Sequence, residues 1–155
     1  MIFSTSGGFI QSLKDYDKKK KKAEEWKERY HDLYYQRYEK IRSPLDYDIV
    51  GYKNGEPIRQ IKHGGSYNEE VVSAIHEKLE KEMEKALNEY SKLMVEMENT
   101  KDELKRIEEP LKGILVMRYL EHKKLKEVCK ASDLFLDESG MHKYIMRELG
   151  KYYGE

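Results

Sequence analysis

Along most of the chain, apolar residues recur at steps of three and four, the spacing that stacks side chains on one face of an α-helix. Residues 1 to 13 are the exception: they are rich in Ser and Gly and read as a loose lead-in. From Asp15 to Arg42 the helical pattern sets in, with Trp26, Tyr30, Leu33, Tyr34, Arg37 and Ile41 on one unusually aromatic face. Ser43-Pro44 should end this helix, because proline restricts the residue before it to extended conformations.

Residues 45–67 differ. Short β-favouring runs flank Asn54-Gly55, a pair suited to two consecutive positive φ values. A two-stranded hairpin is marginal by itself in water, so a small hairpin and a flexible loop stand level here. Gly64-Gly65 forms a joint, and Ser66 with Glu69 has capping-box spacing, which marks a helix start. The longest periodic segment runs from there to Glu109, with Val72, Ile75, Leu79, Met83, Leu87, Tyr90, Met94, Met97, Leu104 and Ile107 as its seam. Such a helix would extend about 60 Å. Its narrow seam needs a partner helix, either the first helix folded back or a second protomer. Asn99-Thr100, with Glu103 at capping-box spacing from Thr100, could mark a break or a kink.

After Pro110, which suits the first turn of a helix, the rhythm shortens. Leu111, Ile114, Leu115, Met117, Tyr119 and Leu120 are densely apolar. A second short helix fits Leu125 to Ser132, with Leu125, Val128 and Cys129 inward. A third fits Glu138 to Tyr153, capped by Asp137, with Met141, Tyr144, Ile145, Leu149 and Tyr152 inward. The expected fold is all-α: a long antiparallel, coiled-coil-like helix pair over 1–109, with a loop at 43–68, followed by a three-helix, helix-turn-helix head over 110–155.

Composition changes this picture little. Of the 155 residues, 39% are charged and 38% hydrophobic, as in long exposed helices that each bury a stripe. Thirty basic and thirty acidic residues cancel, so only local clustering can speak for nucleic acid. The single cysteine, Cys129, allows no intramolecular disulfide and no cysteine-based zinc site. No apolar run reaches the roughly 20 residues of a membrane span, and no signal peptide is legible. We therefore expect a cytoplasmic protein with no membrane partner.

The stretch "ILVMRYLEHKKLKEVCKAS", followed by "MHKYIMREL", resembles the C-terminal part of the ArpU/RinA-type phage transcriptional regulators, which is akin to region four of sigma factors. Leu115, Arg118, Tyr119 and Leu120 match the first helix of that motif. Glu127, Val128 and Cys129 stand where Glu-Ile-Ala is usual, and the helix from Glu138 takes the recognition place. The turn "DLFLDES" is longer than the family's, and Cys129 replaces its alanine. The resemblance implies sequence-specific binding of double-stranded DNA and control of late or packaging gene expression in a phage or prophage, within a bacterial host cell.

The residues of the third helix bear on this independently. Lys143, Arg147 and Lys151 are spaced by four, so they form a basic stripe opposite the apolar set. Such a stripe can neutralise phosphates, and Arg147 could reach a guanine edge. His142 lies beside it, near the helix start. Lys123, Lys124, Lys126 and Lys130 could position the DNA backbone, and Arg118 could clamp it or join an internal salt bridge. Most such stripes are merely solvated, and Glu121, Glu127, Asp133, Asp137, Glu138 and Glu148 would repel phosphate if they faced it. A mixed surface of this kind fits a weak monomeric reader that needs a homo-oligomer such as a dimer, or a second contact, and it could equally serve a protein partner.

Other signals are weak. His76-Glu77 lacks the second histidine of the zinc-protease motif, because position 80 is Glu80. Cys129 reads as a small buried hydrophobe, and Lys18 to Lys22 as a solvated helix start. We expect no enzyme activity, no cofactor and no metal. Two alternatives stay open: a small-terminase-like packaging protein that assembles as a ring on DNA, and a helical adaptor or inhibitor of a protein such as RNA polymerase.

Overall fold

The computed structural model describes residues 2–42, 47–61 and 69–155. Helices α1 (Ser6–Lys14), α2 (Tyr16–Arg42), α3 (Glu69–Arg106), α4 (Leu111–Leu115), α5 (Leu125–Ala131) and α6 (Glu138–Tyr152) account for most of it. Strands β1 (Tyr47–Lys53) and β2 (Glu56–Ile61) pair antiparallel around Asn54 and Gly55, which have φ of 53° and 78°. The Ser43-Pro44 stop, the Gly64-Gly65 joint and the Ser66 cap lie outside the described residues.

Two compact units emerge, residues 24–90 and residues 1–23 with 91–155, so the divisions fall within α2 and α3 and not at 109/110. In the 24–90 unit, α2 and α3 pack through Leu33, Leu79, Met83 and Ala86, with Trp26, Tyr30 and Ile75 partly buried beside them. Arg29 meets Glu82 at 3.5 Å and Arg37 meets Glu80 at 2.7 Å; the partner number falls as the first rises, so the segments run antiparallel. The expected seam holds at Leu79 and Met83, but Leu87 is exposed and Ala86 buried in its place, and Tyr34 faces solvent.

The other unit has one core, made of Phe9, Ile10, Leu13, Leu104, Ile107, Leu111, Ile114, Leu115, Val128, Met141, Ile145, Leu149 and Tyr153. The three C-terminal helices therefore do not close their core alone. The lead-in expected to be loose is a helix: Thr5 caps α1 by accepting from the Gly8 N–H at 3.0 Å, and Phe9 and Leu13 are fully buried.

The break expected at Asn99-Thr100 does not occur, and α3 ends at Arg106 instead of Glu109. Thr100 donates its hydroxyl to the Glu96 carbonyl at 3.1 Å, as mid-helix threonines do. Glu103 is wholly buried and accepts from the Ile2 and Phe3 N–H groups at 2.6 and 3.2 Å and from the Tyr152 hydroxyl at 2.7 Å. Residues three apart share a helix face, so one spacing serves both a capping box and a buried pair. Met94 and Val95 on the same helix are exposed, whereas Met97 is buried.

Candidate nucleic-acid interface

Helix α6 is fixed from both ends. The Asp137 carboxylate accepts from the Gly140 N–H at 2.6 Å, satisfying a first-turn donor. At the other end, the Glu155 carboxylate accepts from the Ser6 N–H at 2.9 Å and from the Ser6 hydroxyl, tying the segment after α6 to α1. Between the ends Met141, Ile145 and Leu149, spaced by four, are buried, and Tyr144 and Tyr152 flank them half-buried. This leaves His142, Lys143, Arg147 and Lys151 exposed on the outer side, as their spacing predicts.

The cations on that side are not equivalent. The Arg147 guanidinium lies 5.8 Å from the Tyr144 ring centre, and its Nε is 3.4 Å from Glu148. Lys151 Nζ is 3.3 Å from the same carboxylate oxygen. Both cations thus share Glu148, and their side chains remain 64% and 67% exposed. Burial, then the charge of Glu148, pushes the Tyr144 phenol above its usual pKa. A cleft of about 380 Å³ opens beside Tyr144, but Glu108, Glu109 and Glu148 line it together with Arg106 and Lys151, so it is no anion site.

The remaining basic residues are scattered over other elements. Lys126 and Lys130 are exposed four residues apart on α5, whose N-terminus is closed by Glu127 accepting from the Lys124 N–H at 3.3 Å. Lys123 sits 3.2 Å from Glu121. Arg118 lies on a π-helical stretch, Val116–Leu120, that continues α4, and it donates to the Lys123 carbonyl at 3.4 Å. It braces the following loop, and among the described residues it has no carboxylate partner. His122, at φ 55°, turns the chain there and pairs with Asp17 of α2.

Three features of the region were not anticipated from sequence. Met146 is 41% exposed on the outer side of α6, although methionine more often joins the core. Ser139 shares that side. In the turn between α5 and α6, Phe135 is 96% exposed at φ 55°, while its neighbours Leu134 and Leu136 pack on the core. The Cys129 thiol is half-buried, and burial followed by the charges of Glu138 and Asp137 raises its pKa, which disfavours the nucleophilic thiolate. Among the described residues no cluster of histidine, cysteine and carboxylate side chains could hold a metal ion, and no helix is long and apolar enough to cross a membrane.

Compared with protein-family models, with curated proteins and with solved structures, the chain matches none of them.

Proposed function

We propose that the chain is a sequence-selective DNA-binding regulator whose C-terminal helices act as a helix-turn-helix, with α6 as the recognition helix. The observation that carries this reading is the outer side of α6: His142, Lys143, Arg147 and Lys151 stand exposed on a helix whose opposite side is locked into the core by Met141, Ile145 and Leu149. Rigid presentation of cations and a hydrogen-bonding ring on one helical face is what phosphate neutralisation and base-edge contact require. The resemblance to phage regulators supports the same reading and extends it to phage or prophage transcription, with RNA polymerase as a further partner.

The test is a gel shift against the DNA upstream of the protein's own gene, with salt varied. Binding should fall steeply with salt, and Lys151→Ala should weaken it about equally across sequences while flattening the salt dependence by about one unit of slope. Mass measurement in solution distinguishes a small homo-oligomer from the ring of a packaging protein.

A second reading rests on Phe135, which is fully exposed in a left-handed conformation beside the exposed Asp133, Asp137 and Glu138. An aromatic so placed among carboxylates suits a protein partner with a basic rim better than it suits DNA. Absence of salt-sensitive binding to any duplex, together with a partner protein lost on Phe135→Ser, would establish the adaptor reading in place of the first.

A further inference from the structure

The outer side of α6 divides lengthwise into two chemistries. On one flank Lys143, Arg147 and Lys151 follow one another at intervals of four, and the last two share Glu148. On the other, Ser139, His142 and Met146 are neighbours at intervals of three, four and seven, all exposed, with Lys143, three residues before Met146, at the border between the two flanks.

Resting on the DNA-binding reading, we infer that the cationic flank holds phosphates while the Ser139–His142–Met146 flank faces base edges, with Met146 reading the 5-methyl group of a thymine. In the major groove thymine alone presents a methyl group, and an apolar side chain is what distinguishes it. Met146 is the only apolar side chain on this side of α6 exposed to more than a third, and its unbranched thioether can meet a single methyl without needing a preformed pocket. One apolar side chain among Ser139, His142 and Lys143 is too little surface for a protein interface, whose buried centre is broadly apolar. Ser139 and His142 supply hydrogen-bonding groups for the base pairs on either side. Arg147, in line with Lys143 and Lys151 and with its Nε 3.4 Å from Glu148, serves as a phosphate contact and not as a guanine reader.

The experiment selects bound duplexes from a random-sequence library with the full chain, then replaces each thymine of the selected site singly by deoxyuridine, which removes only the methyl. At one position the wild-type protein should lose about fourfold in affinity, the worth of one buried methyl-sized group. Met146→Ala, an exposed substitution that favours helix, should bind the thymine and deoxyuridine duplexes equally. Arg147→Ala should weaken all duplexes alike and keep the thymine preference. If duplexes are bound in a salt-sensitive way but no thymine shows the effect, or if Met146→Ala retains it, the inference is overturned and DNA binding stands. If the library yields no salt-sensitive binding at all, both fall.

Discussion

In residues 24–90, α2 and α3 meet along a narrow seam whose buried positions are Leu33, Leu79, Met83 and Ala86, flanked by ion pairs open to solvent. In residues 1–23 with 91–155, thirteen buried apolar side chains from α1, α3, α4, α5, α6 and the intervening turns form one core, and a wholly buried carboxylate, Glu103, gathers three donors from both ends of the chain. The first arrangement needs only two periodic helices. The second needs contacts between segments more than a hundred residues apart, and it is the one that holds α6 still. A recognition surface benefits from such support, because side chains on a rigid element lose less freedom on binding.

The contrast breaks most visibly at Leu149, fully buried in the second unit. Leu149→Ala should destabilise that unit by about 2–5 kcal/mol, through lost transfer energy and the cavity left behind. Denaturant unfolding followed by tyrosine fluorescence and far-UV circular dichroism checks it. A loss below about 1 kcal/mol would mean that the site collapses or that α6 is not clamped, and its outer side would then lose its claim to rigidity.

Glu103 sharpens the comparison. Replacing it by Gln keeps the shape but removes charge-assisted bonds from Ile2, Phe3 and Tyr152, and should cost about 1–3 kcal/mol. Burial alone would raise its pKa, yet the Tyr152 hydroxyl and the two backbone N–H groups outweigh it and hold the carboxyl below the ordinary 4.5. A depressed folded-state pKa contributes stability above the unfolded value, and that contribution is lost as pH falls through the folded one. Melting temperatures of wild type and Glu103→Gln should therefore differ most near neutrality and converge as pH drops below 4.5. Curves that stay parallel into acid would show that the charge contributes nothing.

How much of this was legible in the sequence follows from the range of the interactions. The register of α6 was legible because Asp137, Met141, Ile145 and Leu149 carry cap and core within one helix. The existence of α2 and α3 followed from periodicity for the same reason, but periodicity left open whether α3 packs on α2 or on a second protomer. Helix α1 was hidden: Gly7-Gly8 lowers local helical preference, and the reward for Phe9 and Leu13 comes from distant residues of the shared core. The seam of α3 was read from Leu and Met, so Leu87 and Met94 were placed inside, whereas Ala86, Thr100 and Glu103 occupy buried positions that hydrophobicity does not mark. On α6 the basic residues stand exposed opposite the apolar set, as their spacing predicts, but the contacts of Arg147 with Glu148 and Tyr144 are not legible from spacing alone.

The smallest expected effect belongs to the first unit. Arg37 and Glu80 are 2.7 Å apart with side chains 36% and 52% exposed, so water screens their attraction and ordering two long side chains costs entropy. A double-mutant cycle with Arg37→Ala and Glu80→Ala should give a coupling of only about 0.2–1 kcal/mol at low salt. In about 1 M salt, where the screening length shrinks to roughly 3 Å, the coupling should largely vanish. The Glu103→Gln loss, measured in the same salt series, should hardly change, since its partners are hydrogen-bonded away from solvent. The two salt responses thus separate a unit trimmed by exposed ion pairs from one sealed by a buried carboxylate. A salt-resistant coupling at Arg37 and Glu80 would show that this pair is shielded from water and would remove the electrostatic half of the contrast.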